Sequence, residues 1–181
     1  MSKTPLKDFY INNVREKLVK KFAFKNPMQI PKLVKIIISM GVANAAKDKQ
    51  HLEAVYNELT LLSGQKPLRC KTKMSIANFK SREGDVCGFK VTLRNQRMYD
   101  FMYRFINIAV PRISDFRGFK DKCDGKGNYS LGITNQNIMP EVDLNNIKIT
   151  QGMNITFVTT ALTNDVCREF MSLMGIPFKK K

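Results

Sequence analysis

The chain has 181 residues, 43% of them hydrophobic, and its 31 Lys and Arg against 15 Asp and Glu give a formal charge of +16. That length supports one domain with a real core, and a surplus of one sign costs self-repulsion that a polyanion, nucleic acid or anionic membrane, would relieve. The membrane reading weakens: no stretch approaches the ~20 apolar residues of a spanning helix, there is no Trp to anchor an interface, and Met1 to Lys7 has charge without the apolar run of a signal peptide.

Along the chain, Pro5 suits a first helical turn, and Leu6, Tyr10, Val14, Leu18 and Phe22 follow at helical spacing. An amphipathic helix is predicted, broken by Pro27 and Pro31. Lys32 to Met40 reads as a strand. Val34, Ile36, Ile38 and Met40 share one face, and the mixed second face of Leu33, Lys35, Ile37 and Ser39 predicts a well-covered, central strand. Asp48 to Leu62 reads as a helix with Leu52, Val55, Leu59 and Leu62 on its stripe, stopped at Ser63-Gly64. His51, the one histidine, is expected at its surface or cap.

Gln65 to Arg82 is polar and basic, a short strand from Pro67 leading into a long exposed loop. Val86 to Arg94 is a clean strand: Phe89, Val91 and Leu93 alternate with Lys90, Thr92 and Arg94, so one face is apolar and the other cationic. Gln96 to Ile108 is predicted helical, with Phe101, Met102, Phe105 and Ile108 inward and Pro111 as the stop. Arg112 to Asn128 is a long charged loop, of a length that is usually functional. Pro140 to Ile149 is irregular and acidic. Met153 to Thr160 alternates as a strand. Asn164 is expected to cap a last helix holding Val166, Phe170 and Leu173, stopped by Gly175 and Pro177, and Lys179 to Lys181 form a basic tail. With no internal repeat or linker, residues 1–181 read as a single domain of the α+β class, a mainly antiparallel sheet with helices packed against one side and long basic loops.

Catalytic chemistry has no foothold. One histidine and no nucleophile elbow leave no triad. Gly125-Lys126-Gly127-Asn128 lacks the spacing of a phosphate loop and reads as a tight turn. The close carboxylate pairs Glu83 with Asp85, Asp121 with Asp124 and Glu141 with Asp143 lie in loops. Cys70, Cys87, Cys123 and Cys167 are widely spaced without a CxxC pair, as expected of reduced thiols rather than metal ligands. No cofactor or metal is expected.

The charge is uneven. Residues 1–100 hold 20 basic against 8 acidic side chains, +12 of the +16, and Gly64 to Arg97 carries nine cations opposed by only Glu83 and Asp85. Lys90 and Arg94 on the strand face, Arg97 beyond it, and the loop cations Lys66, Arg69, Lys71, Lys73, Lys80 and Arg82 form a surface for RNA phosphates, with a loop of a kind that often orders only on RNA. Phe79 and Phe89 are the only nearby aromatics, so phosphate and shape recognition is expected ahead of base stacking.

The motifs then become specific. Ser63-Gly64-Gln65-Lys66-Pro67, Gly88-Phe89-Lys90-Val91-Thr92-Leu93-Arg94 and Arg97-Met98-Tyr99-Asp100-Phe101 resemble signatures of the large-subunit ribosomal protein five family. So do Val110-Pro111-Arg112-Ile113, Asp115-Phe116-Arg117-Gly118, Asp124 through Ser130, Pro140-Glu141-Val142-Asp143 and Gly152-Met153-Asn154-Ile155-Thr156. The resemblance spans the chain in order and looks like the bacterial form.

It implies a non-enzymatic constituent of the cytoplasmic ribosome, a monomer that attaches 5S rRNA to the large-subunit rRNA in the central protuberance, contacts P-site tRNA and bridges to small-subunit protein thirteen. By position it implies 5S rRNA contacts at Lys32, Lys35, Lys90, Arg94 and Arg97. The tRNA loop would carry Lys66, Arg69, Lys71 and Lys73, and the intersubunit bridge Arg112, Asp115, Arg117 and Lys120. Two places depart from the family pattern. Asn95 stands where Gly is usual, and Asn tolerates a left-handed turn. Lys71-Thr72-Lys73-Met74-Ser75 replaces a Lys/Thr-Ala-Arg-x-Ser pattern, keeping cations but no bidentate Arg. The competing readings are a free RNA chaperone with little preference, separable by sedimentation with large subunits, and an RNA-modifying enzyme, for which no catalytic residue can be nominated.

Overall fold

Strong β-formers at period two make five strands, β1 Leu33–Gly41, β2 Leu68–Lys71, β3 Val86–Leu93, β4 Tyr129–Ile133 and β5 Met153–Thr159. The structure, a computed structural model, describes residues 4–42, 49–79, 81–142 and 150–179. The strands form one antiparallel sheet in the order β2-β3-β1-β5-β4 with helices packed on it, an α+β fold, and β1 is its central strand as predicted. The helices are α1 Pro5–Phe9, α2 Arg15–Phe22, α3 Lys49–Ser63, α4 Asn95–Arg104 and α5 Asn164–Leu173. Asp48, Lys80, Asp143 to Ile149 and Lys180-Lys181, which the sequence placed in a helix, a loop, an acidic interval and a tail, lie outside the described residues. The chain divides into two compact units.

The first unit comprises Met1–Ile36, Leu93–Leu131 and Ile155–Lys181. Here α1 and α2 are joined by a π-helical turn, Tyr10–Val14, and Leu6, Tyr10, Val14 and Leu18 are buried in one row. Strict four-residue spacing overshoots an α-helical turn by about 40° per step, and a wider i→i+5 turn takes up that drift. Helix α1 packs on α4, and α2 on α5. The core between them is aromatic: Tyr10 meets Phe170 edge-on at 5.9 Å, and Phe105 lies 6.2 Å from both Phe101 and Phe157. Each such ring contributes on the order of 1.5–3 kcal/mol by burial. The Tyr10 hydroxyl donates to the Pro31 carbonyl at 2.9 Å, so its polar end is satisfied.

Two expectations are corrected in this unit, and one strand was not expected. Helix α4 ends at Arg104, short of Ile108, and the helical path runs on through Pro111 as a π turn, Phe105–Ala109, and a 3-10 turn, Val110–Arg112, with the proline in its first positions, where a missing N–H costs nothing. Asn164 does not cap α5 with its side chain; the N-cap is Thr163, and the buried stripe is Cys167, Phe170 and Met171, with Val166 and Leu173 half-buried. Strand β4 carries no sequence expectation at all, because its five residues include Gly132 and Ser130, poor strand formers.

The second unit comprises Ile37–Thr92 and Gly132–Asn154. Helix α3 buries Val55, Leu59 and Leu62, and with them His51, which is only 5% exposed and so neither surface residue nor cap. The spacing explains the correction: 51, 55, 59 and 62 fall on one helical face, and Leu52 turns half away. Tyr56 on the same helix meets Phe89 of β3 edge-on at 5.7 Å.

Candidate nucleic-acid interface

In the second unit β2 and β3 pair antiparallel, with Leu68 opposite Lys90, Arg69 opposite Phe89 and Cys70 opposite Gly88. Opposed residues share a face. Lys90 therefore stands exposed beside Leu68 on one face, and Arg69 lies on the other, beside Phe89. The Arg69 guanidinium sits 5.0 Å over the Tyr56 ring, a cation–π contact that the spacing of the two residues gave no means of predicting. A bulge between Cys70 and Lys71 then shifts the register. Lys66, Lys71 and Lys73 are all exposed. All four cations expected on the tRNA loop are thus exposed, Arg69 with its guanidinium over Tyr56.

The segment beyond β2 is exposed, as expected from its polarity, and is a hydrogen-bonded arm. Thr72 N–H donates to the Asp85 carbonyl at 2.8 Å and Gly84 N–H returns to Thr72 at 3.0 Å. Further out, Glu83 N–H donates to Ser75 Oγ at 2.9 Å, and Ile76 and Ser81 exchange backbone bonds of 3.1 and 3.3 Å. Asp85 accepts the Arg82 N–H at 2.9 Å through its carboxylate, so the acid is used within the arm. A 3-10 turn, Ala77–Phe79, forms the tip. There Phe79 is 79% exposed, whereas Phe89 is buried as expected.

In the first unit Lys32 is exposed at the start of β1, held by its backbone: its N–H donates to Thr160 Oγ1 and its carbonyl accepts from Thr160 N–H, both at 3.0 Å. Lys35 is half-buried on β1. Arg94 is extended and exposed as the N-cap residue of α4, and Arg97 is exposed in that helix's first turn. Between them Asn95 adopts φ 51°, the left-handed conformation expected of a position where Gly is usual. That turn lets α4 start within two residues of a strand, and so sets Arg94 and Arg97 at one corner.

Residues 112–128, whose Arg112, Asp115, Arg117 and Lys120 are all exposed, are anchored at several points. Phe119 N–H donates to the Pro177 carbonyl and Lys179 N–H to Phe119, each at 2.9 Å. The Phe119 ring packs at 4.8 Å from Phe116 and 6.0 Å from Phe105. The Tyr129 hydroxyl donates to the Lys120 carbonyl at 2.7 Å, and Asp121 meets Arg168 at 3.1 Å. The glycine turn is as predicted: Asp124 Oδ1 accepts from Lys126 N–H and Asn128 N–H at 2.8 and 2.9 Å. Asn164 Oδ1 accepts from Gly125 N–H at 3.1 Å, which is where its capping oxygen went.

Among the described residues no group of three His, Cys, Asp or Glu side chains is placed to hold a metal ion. The four cysteines are free. Burial, and then the neighbouring Cys123, pushes the Cys167 thiol up to about 12, far from the thiolate that redox or metal chemistry needs. What the surfaces offer is exposed cation and backbone-fixed loops, chemistry suited to binding phosphates and shape.

Comparison with known proteins agrees in kind. A family model described as "Ribosomal protein L5" matches residues 26–82, and one described as "ribosomal L5P family C-terminus" matches residues 86–178. Proteins named "Large ribosomal subunit protein uL5" are similar over nearly the whole chain. That of Protochlamydia amoebophila is 56% identical over 174 residues, 96% of this chain and 94% of its own. That of Chlamydia felis is 58% identical over 175 residues, 97% of each.

Proposed function

The chain belongs to the ribosomal protein L5 family, and from that membership we propose that it binds 5S rRNA and helps attach it to the large-subunit rRNA in the central protuberance. It is a ribosomal protein of the large subunit, a structural component of translation rather than an enzyme. The observation that carries the finer reading is the coincidence of an in-order family match over residues 26–82 and 86–178 with a +16 charge set mostly in the first hundred residues.

In this reading Lys32, Lys35, Lys90, Arg94 and Arg97 take 5S rRNA phosphates. The arm with Lys66, Arg69, Lys71 and Lys73 meets P-site tRNA. Arg69 serves there by stiffening the arm's base over Tyr56 rather than by reaching out. Arg112, Asp115, Arg117 and Lys120 bridge to small-subunit protein thirteen, and their mixed signs suit a protein partner better than a polyanion. The chain acts as one domain and one copy in the cytoplasmic ribosome.

The test is a titration of the full-length chain against 5S rRNA, with an unrelated structured RNA of equal length as competitor, at several salt concentrations. Binding that survives the competitor is expected. Equal affinity for the two RNAs would overturn the specific reading and leave a general RNA-binding protein.

A further inference from the structure

The arm between β2 and β3 carries more apolar surface than its polarity suggests. Met74 is 69% exposed, Ile76 41% and Phe79 79%. Large apolar side chains held outward on a hydrogen-bonded turn mark a contact surface. Among the described residues the exposed charges around them are Lys71, Lys73 and Arg82, opposed by Glu83, while the Asp85 carboxylate is taken by the Arg82 N–H. A cationic rim draws a polyanion, and the apolar surface inside it needs a flat, uncharged face to cover. A nucleobase on RNA has both parts: a phosphate to meet the rim and a π-face to lie on a ring.

We infer that the Phe79 ring, exposed at the tip of the arm that also exposes Met74, is a stacking platform for an exposed nucleobase face of the RNA that the flanking cations attract. The inference rests on the reading that this arm meets P-site tRNA, and it changes the expected chemistry of the contact. Phosphate recognition through Lys71 and Lys73 alone is strongly salt-dependent. Stacking on an aromatic ring is tolerant of base identity and releases no counterions. The arm's internal bonds, from Thr72 to Asp85 and from Ile76 to Ser81, hold the tip before RNA arrives, so little ordering cost opposes the contact.

Ribosomes assembled with full-length variants and deacylated tRNA in the P site test it, with Kd measured at three salt concentrations. Phe79→Ala is expected to weaken binding about fivefold or more without changing the salt slope, and Phe79→Tyr to keep wild-type affinity. The Lys71→Ala, Lys73→Ala double variant is expected to reduce the slope. Equal occupancy of the variants in large subunits checks folding, which an exposed ring should not affect. If the lysine pair changes the slope and Phe79→Ala leaves Kd unchanged, the platform is overturned and the arm's tRNA contact stands. If neither changes anything, the tRNA reading of the arm falls and the platform with it. If Phe79→Leu matches wild type, the contact is apolar without stacking, and the inference fails. A benzoylphenylalanine photo-crosslinker at position 79 is expected to capture tRNA; capture of protein alone would assign the tip to a protein partner and overturn it.

Discussion

Asn95 shows how much one residue's backbone freedom settles. Its φ of 51° turns the chain from β3 into α4, and only Gly, with Asn and Asp behind it, visits that region cheaply. Asn95→Gly is therefore expected to leave stability unchanged or slightly higher. Asn95→Val is expected to lower it by about 1–2 kcal/mol, read as a lower urea midpoint at constant slope. A Val variant as stable as wild type would mean the turn is not held in that conformation. Arg69 teaches a different lesson: two residues thirteen apart, on a helix and a strand, make a cation–π contact. Nothing local in either stretch signals the partner, only the pairing of Arg69 with Phe89 beneath Tyr56.

At the scale of elements, the turn from Asp124 to Asn128 decides where residues 112–128 rest. Gly127 has φ 76°, and a Cβ there would overlap the Ala161 carbonyl. Gly127 O also accepts the Thr159 hydroxyl at 2.6 Å. Gly127→Ala should cost more than about 3 kcal/mol, since it adds a backbone clash to a strained φ, and should show as a Tm lower by about 6–12 °C or more or as insoluble protein. A near-normal Tm would show that β5 and the turn are not packed together. The Asp124 carboxyl is held below the usual carboxylate range first by the Asn128 side-chain amide and then by the backbone N–H donors of the turn. A depressed folded pKa stabilises above the unfolded value, and that contribution is lost as pH falls through the folded one. Asp124→Asn should thus lower Tm at pH 7, where that contribution is present, and flatten the dependence of Tm on pH from about pH 4 downward, so that the two proteins converge in acid. An unaltered acid limb would show that the turn's hydrogen bonds do not depend on the charge.

For the whole molecule, a +16 chain should bind many polyanions weakly, and that background falls steeply with salt. Specific binding is distinguished by its individual contacts. Lys90→Ala and Arg94→Ala are each expected to reduce the slope of log K against log salt for 5S rRNA by about one, whereas neutralising Asp124 should not. A slope indifferent to both cations would move the RNA to another face.

The amino-acid sequence by itself determined the class of partner, the family and most of the strands and helices, because charge surplus, period-two and period-four patterns and contiguous motifs are local properties of the chain. It also settled Asn95's turn and the buried Phe89, where one residue type has few conformational choices. Tertiary structure alone decided the burial of His51, the loss of Asn164's cap to Gly125, strand β4 with its glycine, the tether of Arg69 over Tyr56 and the outward ring of Phe79. Each of these depends on a partner far away in sequence or on the absence of one, and neither leaves a mark in local spacing.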